Sequence, residues 1–298
     1  MKLKVGDFVT RKSYGNDLLF RISNIDDENH VIIFGEEMRL IADAPLIDLQ
    51  LVSDTEKSTR DIEETKKEAN CYRLFRQDRR LLRNRNEYEM TGGYTSKSSY
   101  FELPGRILHI DGDPVYLKKC IDLYEKLGVP IYGVHMEERE MPLQITSLLE
   151  MVRPDILVVT GHDAYMRSKG EQNEVKAYRN TRYFADAVRE ARKFEPHFDH
   201  LVIFAGACQS YFETLIRAGA NFASSPDRIN IHALDPVYIA AKVSLTPFMD
   251  SVSIWELLRN TLTGEKGLGG IETKGLLRRG MPIKSNEDII LDTRKKER

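Results

Sequence analysis

Beyond Leu103 the chain alternates strand-sized apolar runs with stretches of helical apolar spacing, and few folds accept that alternation. Residues 106–110, 131–135, 156–160 and 201–205 read as strands. Residues 115–127, closed by Gly128, together with 143–152 and 183–194, read as helices between them. Strands this uniformly apolar are buried on both faces, so the pattern predicts an α/β fold: a doubly wound, mainly parallel sheet with helices on both faces. Two further strands are expected, at 229–233 and, from a weaker pattern, at 221–223. In such sheets function gathers at the carboxyl ends of the strands.

The chain ahead of this region differs in kind. Residues 1–53 carry five short β-rich runs, at 7–11, 18–22, 31–34, 39–41 and 49–52, punctuated by Gly15-Asn16, Asp26-Asp27 and Pro45. They predict a small β-barrel, and the opening Val5-Gly-Asp-Phe-Val9 resembles the first strand of SH3-like barrels. Residues 54–102 turn polar, with ten Lys/Arg between Lys57 and Arg85, and read as a charged linker carrying one amphipathic helix. Arg73, Arg76, Arg80 and Arg83 recur at helical spacing and fit a solvated helix face better than a phosphate-binding stripe. Gly92-Gly93 and the Ser/Thr/Lys run after it are expected to form a hinge, leaving 103–298 as the α/β domain.

Composition narrows the function classes. The 44 Lys+Arg against 46 Asp+Glu leave a formal charge of −2, which disfavours nucleic acid as a dedicated partner. No apolar run approaches the roughly 20 residues that span a bilayer, so no membrane partner is expected. The start, Met1-Lys-Leu-Lys-Val-Gly-Asp7, has no apolar core or cleavage site of a signal peptide, which places folding in the cytoplasm. Cys71, Cys120 and Cys208 lie far apart without a CxxC pair, so neither a disulfide framework, a metal site nor a cofactor is expected.

Two apolar strands each end within three residues of a reactive side chain: Ile156-Leu-Val-Val-Thr160 leads to His162, and Leu201-Val-Ile-Phe-Ala205 to Cys208. Strands joined by one crossover helix are commonly neighbours, which would bring both side chains to one sheet edge. That placement suits a thiol and its base. A free thiol is mostly protonated at neutral pH, and an adjacent imidazole can activate it and later protonate a leaving amine. Gly206 permits close backbone approach, and the Cys208 N–H is available as an oxyanion donor if a helix begins near Gln209. Cys71 and Cys120 sit in helical registers and read as packing residues. His30, His109, His135, His197 and His200 read as core or surface groups, which leaves His232 as the rival partner.

An apolar block followed by His162, then 46 residues on a second block followed by Ala207-Cys208, resembles the clan of cysteine peptidases that includes caspases, legumain, gingipains, clostripain and separase. More closely, Val159-Thr-Gly-His-Asp163 and Phe204-Ala-Gly-Ala-Cys-Gln-Ser210, with the N-terminal Val5-Gly-Asp7 barrel, resemble the YabG family of sporulation-specific proteases from spore-forming Firmicutes. This second resemblance spans essentially the whole chain. It implies a caspase-like sheet and a cysteine endopeptidase that processes spore-coat and other sporulation proteins in the mother cell, at or near the forming coat. Cys208 would be the nucleophile, passing through a thioester acyl-enzyme, and His162 the general base and acid. The clan usually places Gly directly after the histidine, whereas here Gly161 precedes it; the second oxyanion donor then falls to the Asp163 backbone N–H.

Gingipain and clostripain select basic P1 residues with an acidic S1 pocket. On that resemblance Asp111, Asp113 and Asp235, all expected at the catalytic edge, are the S1 candidates, and cleavage is expected after Arg, with Lys second. Asp111-Gly-Asp-Pro114 reads equally as a turn and helix cap. Arg79-Arg80-Leu-Leu-Arg83-Asn-Arg85 matches the preference and is an expected self-processing stretch, as is the charged loop 166–178.

Two rival readings stand beside this one. Gly206-Ala-Cys208-Gln-Ser210 also resembles the nucleophile elbow of an α/β hydrolase or amidotransferase, whose histidine follows the cysteine and would be His232. Alternatively the barrel and Arg-rich helix form a non-catalytic coat scaffold beside a degenerate domain. Residues 245–298, with Trp255, Gly-rich turns and a basic tail from Arg294, are expected to complete the sheet and wall a cleft.

Overall fold

The structure is a computed structural model that describes residues 3–26, 30–91 and 101–280. Its first element is an antiparallel sheet of β1 (Phe8–Arg11), β2 (Phe20–Ile25), β3 (His30–Gly35), β4 (Ile41–Pro45) and β5 (Leu49–Leu51), ordered β4-β3-β2-β1-β5. Alternation along β2 and β3 puts Phe20, Ile22, Val31 and Ile33 on one buried face. The strand expected at 39–41 is displaced to 41–45: β4 starts at Ile41, because Met38, Arg39 and Leu40 turn aside into the rest of the molecule.

α1 (Asp54–Thr91) is one unbroken helix of 38 residues, about 57 Å long at 1.5 Å per residue. It is no free span. Cys71 and Phe75 are buried in the main core, Cys71 Sγ donates to Asn260 O (3.0 Å), and Arg79 Nη1 donates to Leu127 O (2.8 Å). Asp78 accepts from Arg259 (2.6 Å) and Asn260 (2.8 Å). Sparse apolar residues hid this docking from the sequence, since two buried apolar side chains and a few polar groups fasten an otherwise solvated helix. The Gly92-Gly93 hinge and the basic tail from Arg294 lie outside the described residues.

The remaining elements are β6 (Phe101–Leu103), β7 (Ile107–Asp111), α2 (Pro114–Leu127), β8 (Ile131–His135), α3 (Met141–Val152), β9 (Ile156–Thr160), α4 (Thr181–Phe194), β10 (Val202–Ala205), α5 (Phe212–Ala218), β11 (Phe222–Ser224), α6 (Asp235–Leu245), β12 (Ser251–Val252), α7 (Ile254–Leu258), β13 (Leu268–Gly270), β14 (Thr273–Lys274) and β15 (Arg278–Gly280). A six-stranded sheet runs β13-β11-β10-β9-β7-β8. β7 to β11 are mutually parallel and β13 is antiparallel, so the sheet is mixed and mostly parallel. Two small ladders, β12 with β14 and β6 with β15, lie apart from it.

Strand alternation divides the core. Ile156 and Val158 face a layer made by α2, α6 and Phe75, while Leu157 and Val159 face α3, α4 and α5. α2 begins where Asp113 accepts the N–H groups of Val115 and Tyr116 ahead of Pro114, and it ends at Gly128, whose left-handed φ of +71° favours a residue without a side chain. Among the described residues no helix is long and apolar enough to cross a membrane.

One strand expectation is corrected. The weaker run at 221–223 forms β11, whereas 229–233 joins no sheet and makes only an isolated bridge between His232 and Met38. The position beside β11 is taken by β13, and left-handed residues Ser225 and Arg228 turn the chain away before 229.

Candidate active site

β9 and β10 are adjacent and parallel, with Ala205 opposite Val159, so the loops that follow them leave the sheet side by side. Gly206 opens the second loop at φ +109°, and a Cβ there would meet Ser224 Oγ at 2.4 Å and Leu215 Cδ1 at 2.7 Å. Gln209 also sits in the left-handed region (φ 57°), a conformation that surrounding structure must hold in place. The loops are tied together: Ser210 Oγ donates to Asp163 Oδ2 (2.9 Å) and Tyr165 N–H to Gln209 Oε1 (3.2 Å). Asp163 further accepts from Thr181 Oγ1 and from the N–H groups of Ala164 (2.9 Å) and Asn180 (2.8 Å). Burial outweighs these donors and raises the Asp163 pKa to about 6.

His162 is buried between two carboxylates. Its Nε2 lies 3.3 Å from Asp113 Oδ2 and its Nδ1 3.7 Å from Glu138 Oε1, which also accepts the His162 backbone N–H at 2.8 Å. Burial works against the imidazolium, but both carboxylates favour it and the pKa ends above the ordinary 6.5. Glu138 fits because Gly112 and Gly161 leave room: a Cβ on either would come within 2.4 Å of Glu138 Oε1. From the N-terminal sheet, Phe34 meets the imidazole edge-on with centroids 5.5 Å apart, and Tyr116 lies 6.0 Å away. A cleft of about 580 Å³, lined by Phe34, Ile41, Asp113, Glu138 and His162, opens beside the ring.

Cys208 has no solvent exposure and lies in an apolar cluster with Phe20, Ile33 and Leu49 of the N-terminal sheet, with Leu40 from the turn before β4, and with Ile231. Its Sγ receives the Ile231 N–H at 3.3 Å and faces Ile231 O at 3.6 Å. Burial pushes the thiol up to about 12, even though the Ile231 N–H and the nearby Arg39 favour the thiolate. The sheet therefore brings Cys208 and His162 to one edge, but their side chains do not hydrogen-bond to each other; the imidazole is held by carboxylates and the thiol by the Ile231 backbone. Among the described residues, the Cys208 and Asp163 backbone N–H groups have no protein acceptor, unlike those of Gly206, Ala207, Gln209 and Ser210.

The three acidic S1 candidates have separate fates. Asp113 is the α2 cap and a partner of His162. Asp235 is fully buried with its two oxygens on the Leu262 (2.6 Å) and Thr263 (3.1 Å) N–H groups. Asp111 is also fully buried, and it is engaged by Arg39. His232 turns away from the thiol toward α1, with Nε2 3.0 Å from Glu64 Oε1 and 3.7 Å from Glu68 Oε1, and its Nδ1 accepts the Leu234 N–H. His232, the histidine of the hydrolase-elbow alternative, is thus held at α1 and makes no hydrogen bond to the thiol.

Glu138, Tyr116 and Arg39 escaped sequence reasoning. Glu138 had a usable signal, since Glu137-Glu138 directly follows β8 at the functional edge. Arg39 had none, because it comes from the turn between β3 and β4, far from the other site residues in the chain.

The chain matches a family model described as YabG peptidase U57 over residues 4–282. It is 54% identical over 290 residues to the sporulation-specific protease YabG of Bacillus subtilis (strain 168), covering 96% of this chain and 100% of that one. No solved structure matches.

Proposed function

The chain belongs to the YabG peptidase U57 family and is a protease, and from that premise we propose that it is a cysteine endopeptidase in which Cys208 and His162 form the catalytic dyad. The observation that carries this reading is the delivery of both residues to one sheet edge by neighbouring parallel strands, on loops locked by Asp163 and Ser210. His162 takes the Cys208 proton as Sγ attacks the scissile carbonyl carbon. The oxyanion accepts from the backbone N–H groups of Cys208 and Asp163. Collapse expels the amine with the proton from His162 and leaves a thioester, which a water deprotonated by His162 then hydrolyses. Asp113 and Glu138 position the imidazole and stabilise its charged form.

The parallel sheet with helices on both faces fits a caspase-like domain, and the five-stranded N-terminal sheet fits an SH3-like barrel. The relative's description as sporulation-specific fits protein substrates made during sporulation, and the reading extends to spore-coat proteins processed in the mother cell. Cleavage falls after Arg, with Lys second. Self-processing falls in the loop after His162, where Arg167 and Lys169 are exposed.

The test is incubation of wild type, Cys208→Ala and His162→Ala with an unfolded Arg-containing protein, reading cut sites by mass spectrometry. Cuts after Arg by wild type and by neither variant are expected. Activity surviving Cys208→Ala would overturn the cysteine assignment, and activity surviving His162→Ala would overturn the dyad.

A further inference from the structure

Arg39 has no solvent exposure, and the peptidase chemistry does not use it. It lies between β3 and β4, where the Leu40 N–H donates to Met38 O at 2.7 Å in a three-residue turn. The side chain leaves the N-terminal sheet and enters the α/β unit. There the guanidinium donates to Asp111, to Ala233 O (3.1 and 3.3 Å) and to Cys120 Sγ (3.2 Å), and its carbon lies 5.2 Å from the Tyr116 ring centre. Asp111 is held in turn by Thr160 Oγ1 (3.1 Å) and the Asp113 N–H (2.9 Å). A buried guanidinium requires a carboxylate and further acceptors to offset its lost hydration, and this pocket supplies both around the space of one arginine side chain.

The backbone beside Arg39 is docked as well. Ala233 N–H donates to Glu37 O at 3.0 Å, and Met38 bridges His232 in antiparallel sense, the way an extended peptide adds itself as a strand. The thiol of Cys208 faces Ile231, two residues earlier on the same segment, and packs against Leu40. An arginine side chain thus fills an acidic pocket while its own backbone lies against the candidate nucleophile.

We propose that the Asp111 pocket is the primary specificity site and that Arg39 occupies it as an internal substrate mimic, keeping the enzyme latent until the N-terminal sheet shifts. The proposal rests on the cysteine-peptidase reading above. Mimicry is favoured over cleavage by the turn at Arg39, which folds the backbone where a cleavable peptide must be extended. Latency follows from the complete burial of Cys208 in an apolar cluster with Phe20, Ile33 and Leu40, which leaves the thiol inaccessible to substrate. A substrate arginine takes over the contacts to Asp111, Ala233 O, Cys120 Sγ and Tyr116 once Arg39 leaves.

The test uses the full chain with agmatine, a small guanidinium amine, as the probe. In Arg39→Ala, agmatine should raise Tm, and Cys208 should be alkylated by iodoacetamide about tenfold faster or more than in wild type. Wild-type Tm should not respond, and adding Asp111→Asn to Arg39→Ala should abolish the agmatine response. Should Arg39→Ala fail to fold with Asp111 left uncompensated, Arg39→Lys keeps the charge but cannot reach all three acceptors, so its Cys208 must still alkylate faster. Wild-type alkylation rates in the folded variant, with no agmatine response, would overturn the proposal. An Asp111-dependent agmatine response in a chain that never hydrolyses peptides would support the pocket and overturn the catalytic reading instead.

Discussion

Glu138 reaches His162 only because residues 112 and 161 carry no Cβ, so three positions distant in sequence act as one unit. The pair raises the His162 pKa, and the sign of its effect on stability follows. A histidine whose pKa is higher folded than unfolded contributes stability that is complete below the unfolded value, near 6.5, and lost as pH rises through the folded value. Glu138→Gln should therefore lower the His162 pKa, as read by imidazole NMR titration. The stability advantage of wild type over this variant, measured by urea unfolding from pH 6 to 9, should shrink as pH rises. An unchanged titration would show that Asp113 alone sets the imidazole charge. His162 and Cys208 were legible as residues because each follows an apolar strand in the sequence itself. Glu138 is marked only by its place just beyond β8, and its role depends on space left by glycines in two other loops.

The 38-residue helix α1 shows how little apolar surface suffices to fasten a charged element. Phe75 and Cys71 provide its buried contacts with the core, and Arg80 faces solvent. Phe75→Ala should lower unfolding free energy by about 3–5 kcal/mol, whereas Arg80→Gln should stay within about 0.5 kcal/mol; chemical denaturation of both checks the contrast. The helix also bears on self-processing. A peptidase binds extended chain, and Arg79, Arg80, Arg83 and Arg85 lie within helical backbone, with Arg79 further bonded to Leu127 O. Mass spectrometry of prolonged incubations should find cuts at Arg167 or Lys169 before any in α1, and the reverse order would mean that α1 opens first.

At the scale of the whole molecule, the N-terminal sheet and the α/β unit are joined through the candidate site itself. Phe34 meets His162, Leu40 packs on Cys208, and Arg39 pairs with Asp111. Mild acid is a poor trigger for release. Burial would raise the Asp111 pKa, but the guanidinium outweighs it and holds the carboxylate far below its ordinary 3.8, so the contribution of the pair is present above that value and lost only as pH falls well beneath it. The sequence by itself determined the parallel sheet, its helices, and the arrival of His162 and Cys208 at one edge, because burial on both faces and crossover topology are written in the local apolar pattern. Only the tertiary structure decided which carboxylates serve the imidazole, that α1 is docked, that residues 229–233 stay out of the sheet, and that an arginine from the turn between β3 and β4 pairs with Asp111. Those outcomes depend on contacts between residues far apart in the chain, where fit and exclusion of water, rather than periodicity, select the partner.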